Sequence, residues 1–455
     1  MDAVAAAALS LPRRLEDDSR RYTRTPPWAL AAVVKASLYN GNPFRSRTMR
    51  EQDLMLACHM HNNLHPEELD HPDLGSPLAV MVRIGYEQFP YQESMFEEMA
   101  RAESLFNGYT ARKPLTVITG ERLAKLLGAP VRDAAGVALL LHAGAERNGG
   151  FFDPTWLDQP NFTPVLDVLP RETILDVIDT SFAIDVAGFK TLAAEAPAVP
   201  FLDKYLFNPL VARPFIRRGD GRLIAPVPQL ISRRMSPLEW YYAGLKQFGT
   251  DFASDLGHMF EDYVGRQFAT MPGVTVEPEV EYRRGNDRMD TTDWFIVMDD
   301  AVLLVEAKAG ILKAGARAGD DSLTQMMTRT VGKAIKQINR THGLIRAGAP
   351  EVAHIPNDRP ILGMVATLDP WYMANSFFGR KVLPVCDVPI TVCSAREVEY
   401  LVGIGQRAPV GPILREVLDD ADRPAWSLGT ALQPYHLKCD RNPLLDQAWK
   451  RYPFN

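Results

Sequence analysis

One stretch limits what this chain can become: Asp293-Trp-Phe-Ile-Val-Met-Asp-Asp-Ala-Val-Leu-Leu-Val-Glu306-Ala-Lys308. Phe295–Val297 and Val302–Val305 are apolar runs of strand-forming residues. They meet at Met298-Asp299-Asp300, where the two aspartates suit a turn, so the stretch reads as a buried hairpin. Side chains alternate along a strand, which puts Glu306 and Lys308 on one face and Ala307 on the other. Asp293 opens the first strand. Two carboxylates and an ammonium therefore gather at one end of a sheet, an arrangement that is costly to bury unless a cation joins it. Carboxylate oxygens suit Mg²⁺, which retains several waters, and a neighbouring lysine can hold or activate one of those waters. Asp290, in Asp290-Thr-Thr-Asp293, competes for the role of first ligand.

The flanking segments read as an α/β core. Ser236-Pro-Leu-Glu239 has the residues of a helix start. The helical pattern runs toward Met271 with a break near Phe248-Gly249-Thr250. Phe260, Val264 and Phe268 form its buried stripe, and Glu261 sits one residue off that stripe, within reach of a cleft. Val274 to Arg283 alternates as a strand. Gly310 to Asp321, rich in Gly and Ala and carrying Lys313 and Arg317, reads as a mobile basic loop beside the cleft. Ser322 to Arg346 is a long helix on which Arg329, Lys333, Lys336 and Arg340 share one face, near Gln337. That basic stripe suits a phosphate backbone, although solvation alone also explains it. Pro360 to Leu368 and Ile390 to Ser394 add two buried strands, giving a mixed central sheet with helices.

Taken together, Thr292-Asp293, Glu306-Ala307-Lys308, Glu261 on the preceding helix and Gln337 in Lys333-Ala-Ile-Lys-Gln-Ile338 resemble the PD-(D/E)xK, or restriction-endonuclease-like, nuclease superfamily. The resemblance covers roughly residues 236–402 and lacks the proline of the first motif. It implies a restriction-endonuclease-like core and Mg²⁺, with Mn²⁺ as substitute, held by Asp293, Glu306 and Glu261. It also implies that Lys308 positions the attacking water, that Gln337 steadies the site, and that a phosphodiester of DNA is hydrolysed, in defence against foreign DNA or in repair. Lys313, Arg317, Arg329, Lys333, Lys336 and Arg340 are the candidate nucleic-acid contacts. The residues do not separate DNA from RNA. The competing expectation is a catalytically silent nucleic-acid-binding or scaffold protein.

A chain of 455 residues exceeds one ordinary core. The expected division is a mostly helical region at 1–212, a basic hairpin and linker at 213–235, the nuclease-like domain at 236–402 and an extension at 403–455 packed on it. The net charge of −6 argues against a uniformly basic coat but leaves room for a local basic groove. Cys58, Cys386, Cys393 and Cys439 show neither ribbon spacing nor secreted-domain density, so a reducing cytoplasm is expected. Asp2 stands where a signal peptide needs basic residues, and no window reads as a membrane span.

The N-terminal region offers a surface for a protein partner but no legible chemistry. Cys58, His61 and His65 fall on one helix face, with His59 and His71 nearby. A polar helix face explains them better than zinc, which needs a tight, supported ligand set. Glu121 to His142 has a helix–turn–helix cadence, but apolar residues fill the reading helix, so a buried helical hairpin is expected. Arg213, Arg217, Arg218 and Arg222 gather on a hairpin turning at Gly219-Asp220-Gly221. With Arg233 and Arg234 they read either as a solvated face or as a phosphate contact.

Overall fold

A computed structural model describes residues 1–11, 19–41, 49–64, 75–92, 94–195, 202–205 and 207–452. The protein is α/β, predominantly helical, with mixed sheets. Five strands form its central sheet and lie across it in chain order: β1 Thr275–Pro278, β2 Trp294–Val297, β3 Val302–Lys308, β4 Ile361–Thr367 and β5 Ile390–Ser394. The pairs β1/β2 and β2/β3 are antiparallel, and β3/β4 and β4/β5 are parallel. Antiparallel neighbours need only a turn, whereas parallel neighbours need a crossover. The β2–β3 turn closes with the Met298 amide donating to the Ala301 carbonyl at 3.0 Å. The β3–β4 crossover carries the long helix Ser322–Arg346.

The helices that matter for the site are α1 Met95–Phe106, α2 Pro237–Phe248, α3 Thr250–Ala269, α4 Ser322–Arg346 and α5 Ala395–Gly405. At the start of α2 the Ser236 hydroxyl accepts the Glu239 amide. At Gly249, with φ +69°, the chain turns from α2 into α3, a conformation that favours glycine.

Strand alternation sorts the core into two layers. Trp294, Ile296, Leu303, Val305 and Met364 pack with Phe260, Val264 and Phe268 of α3 and Val398 and Leu401 of α5. Phe295, Val302, Leu304 and Val365 pack with Met327, Val331, Ile335 and Ile338 of α4. Each such side chain, fully buried, contributes about 1.5–3 kcal/mol. A sheet covered on both faces explains why its strands read as near-continuous apolar runs.

Two sequence expectations are corrected here. Val274 to Arg283 is not one strand, because β1 ends at Pro278, which cannot donate to a ladder. Glu281–Arg284 instead pairs with Asp287–Asp290 in a separate ribbon turning at Gly285, φ +65°. The Gly310–Asp321 segment is not loose: Ile311, Leu312, Ala316 and Ala318 are buried, and Ala314–Arg317 is a short helix.

The N-terminal half is helical around a small four-stranded sheet of Phe151–Phe152, Ala183–Ile184, Phe215–Arg217 and Leu223–Ile224. Residues 120–147, apolar enough for a membrane span by length and composition, form two helices broken at Gly128, φ +92°. Their apolar faces enter the main core, as a buried hairpin requires. Across the expected boundaries at 212, 235 and 402, Met99, Leu105, Leu127 and Leu141 share one apolar cluster with Phe260, Leu303 and Tyr452. The tail closes back on α1, where the Tyr452 hydroxyl donates to the Met99 carbonyl at 2.6 Å.

Candidate metal centre

Strand register brings the acidic groups together. Trp294 pairs with Val305, and continuing that register sets Asp293 opposite Glu306. On the other side Pro278 pairs with Trp294, so Glu279 falls opposite Asp293, and its amide donates to the Asp293 carbonyl at 2.9 Å. Three carboxylates thus stand abreast at one end of the sheet. Glu261 of α3 joins them: Glu261, Glu279 and Asp293 each offer an oxygen, and these oxygens all lie within 4.8 Å of one another.

Asp293, Glu306 and Glu261 are buried, and Glu279 is half-buried. The Asp293 carboxylate accepts the Ala307 amide at 2.7 Å. Lys308 donates to Glu306 Oε1 at 2.5 Å, whereas Glu306 Oε2 is buried without a hydrogen-bond partner. A buried lone carboxylate oxygen is costly, and a cation is one group that would satisfy it. Burial pushes the Asp293 carboxyl well above the usual carboxylate range, and the Glu306 charge pushes it further. Burial likewise lifts Glu306 to about 7, against the pull of Lys308. For Lys308, burial disfavours the charge, but Glu306 and Asp293 outweigh it and hold the ammonium above its ordinary value. Asp290 sits on the exposed ribbon, so the structure gathers Asp293 and not Asp290 into the cluster.

Two residues that sequence reasoning missed join the cluster. One is Glu279. The other is Lys113, whose ammonium reaches Glu261 and Glu279 at 2.9 Å each. Beside it the Arg112 guanidinium lies 4.1 Å over the Trp294 ring, whose indole N–H donates to the Glu261 carbonyl. The loop carrying both is pinned to α3. The Asp255 carboxylate accepts the amides of Thr116, Val117 and Ile118, and the Asp262 carboxylate accepts the amide and the hydroxyl of Thr110. Ala111, next to Arg112, is held at φ +58°, a left-handed conformation that alanine rarely adopts.

The other predicted residues divide by role. Gln337 does not join the carboxylates; its amide donates to the Thr291 carbonyl at 2.7 Å. Arg340 donates to the Asp290 carbonyl, and the Thr292 amide donates to Thr341 Oγ1. Helix α4 therefore fixes the backbone leading into Asp293. Arg329, Lys333 and Lys336 are exposed along the same helix, and Lys313 is exposed too. Arg317 is corrected: it is no clamp, but pairs with buried Asp369 at 2.7 Å between the rings of Tyr86 and Tyr242.

The basic hairpin is also already partnered. Arg217, Arg218 and Arg222 pair with Asp179, Asp2 and Asp220, while Arg213 donates to the Asp179 carbonyl. Arg233 and Arg234 are buried, the latter donating to the Ser181 carbonyl. Cys58 lies in the apolar core, which lifts its thiol to about 11, while His61 pairs with Glu87 and His59 with Asn63. His65 and His71 fall outside the described residues. No family model, curated protein or solved structure matches this chain.

Proposed function

We propose that the protein is a Mg²⁺-dependent nuclease with a PD-(D/E)xK-type centre on a restriction-endonuclease-like core, acting on DNA. The observation that carries this reading is the convergence of Asp293, Glu306 and Lys308 at one sheet end, with Glu306 Oε2 buried and unpartnered. The central mixed sheet between α3 and α4, with Glu261 facing the same end, supports it.

Asp293, Glu306 and Glu261 are the residues that would hold the ion, and the donor set is the hard oxygen set that Mg²⁺ or Mn²⁺ takes. A bound divalent cation supplies charge stabilisation for the phosphate as its bond to the leaving oxygen breaks. Lys308, fixed by Glu306, orients the attacking water and stays protonated, so it also faces the developing negative charge, while the proton the water loses passes to bulk solvent. Gln337, Arg340 and Thr341 keep the strand entering Asp293 in place. The exposed Arg329, Lys333 and Lys336 offer charge to the polymer backbone.

A catalytically silent binding or scaffold protein is the second reading, favoured by the two ammonium groups that already neutralise the carboxylates. Incubating the full chain with linear and circular DNA, in Mg²⁺ or in EDTA, separates the two. Cleavage in Mg²⁺ alone, lost in Lys308→Ala and Asp293→Ala while both stay folded, is the expected result. Undiminished cutting by both variants overturns the site.

A further inference from the structure

We propose that Glu261, Glu279 and Asp293 form a divalent-cation site whose place is held by the Lys113 ammonium until the ion arrives. This rests on reading the cluster as a metal centre and adds Glu279 and Lys113 to it. Lys113 Nζ lies 2.9 Å from Glu261 Oε2 and 2.9 Å from Glu279 Oε1. Those two side chains and Asp293 each offer an oxygen, and these oxygens lie within 4.8 Å of one another. Ammonium and metal ion would therefore compete for the same carboxylates. The fully buried Glu306, opposite Asp293 and with Oε2 unpartnered, marks a further unmet demand for a cation at this sheet end.

An ammonium is a compact single charge on a flexible four-carbon stem, and a divalent ion carries twice its charge onto the same oxygens. The backbone under Lys113 cannot withdraw. Its amide donates to the Tyr109 hydroxyl, which in turn donates to its carbonyl, and Asp255 and Asp262 clamp the loop on either side. Only the side chain is free to swing, and it is 33% exposed, so its way out is toward solvent. The N-terminal half thus supplies a gate to a site built from the C-terminal half.

The test is Mn²⁺ binding to the full chain, read as free Mn²⁺ by electron paramagnetic resonance, alongside DNA cleavage. Lys113→Met removes the competing charge and is expected to tighten Mn²⁺ binding by about tenfold. Glu279→Gln is expected to weaken it by about tenfold, and Lys113→Arg, whose fork grips carboxylates, not to tighten it. Unchanged or weaker binding by Lys113→Met, wild-type affinity in Glu279→Gln, or no binding by any form overturns the proposal. If Lys113→Met does not fold, Glu279→Gln alone decides. Shifted binding without cleavage in any form leaves this site standing and removes the nuclease; cleavage with unshifted binding does the reverse.

Discussion

Glu306 stands where burial and charge conflict most directly. Its folded-state value, raised to about 7, means that the folded protein holds a proton the unfolded chain would release. The stability this contributes is full below the unfolded carboxyl value and is lost as pH rises through about 7. In EDTA, Glu306→Gln should therefore gain on the wild type across that window, by up to about 3 kcal/mol. Melting temperatures at stepped pH check this, and a constant difference between the two proteins counts against it. Arg317 carries an opposite expectation to the one its sequence invites. Arg317→Ala leaves Asp369 buried and unpaired and should cost about 3–5 kcal/mol, whereas exposed Lys313→Ala should change stability by no more than about 0.5 kcal/mol. Denaturant titration distinguishes them. The grouping of Asp293, Glu306 and Lys308 was legible because a two-residue period fixes which side chains share a face. The sequence hid Glu279, whose place depends on how β1 registers against β2 across the intervening ribbon. It misled on Arg317, because a guanidinium in a Gly- and Ala-rich run looks solvated until Asp369, Tyr86 and Tyr242 are seen around it.

Helix α4 presents two neighbouring faces, one that holds backbone and one that is proposed to meet DNA. Gln337, Arg340 and Thr341 hold the backbone from Asp290 to Thr292, and each hydrogen bond is worth about 0.5–1.5 kcal/mol. Gln337→Ala with Thr341→Val should leave the fold cooperative and weaken Mn²⁺ affinity, because Asp293 loses its fixed approach; equal affinity would confine these contacts to stability. The exposed Lys333 and Lys336 belong to the other face. Lys333→Glu with Lys336→Glu should weaken DNA binding and flatten its dependence on salt. Titrations at several salt concentrations that overlay wild type would reduce the stripe to a solvated face. The helix itself was legible in the sequence, and its observed span, Ser322–Arg346, agrees with that reading. The ribbon at Glu281–Asp290 was not, since its first strand continues the alternation of Val274 to Arg283 past the break at Pro278.

Across the molecule, division into domains was the least legible property. Composition changes near 213 and again near 236, yet the apolar cluster runs through Met99, Val137, Leu141, Phe260, Leu303 and Tyr452 without a seam. Contacts between such distant positions leave no periodic trace in a sequence. A fragment beginning at Ser236 should therefore lack a cooperative melt by circular dichroism, having lost the α1 and Val131–Arg147 side of its core; a sharp transition would restore an independent domain. The same architecture has a bearing on synthesis. Lys113 emerges early, Lys308 much later, and β3 gains its parallel neighbour only once residues 361–367 have followed. On a nascent polypeptide these charges are therefore scattered along the chain, and the cluster is complete in sequence only once Lys308 has been made.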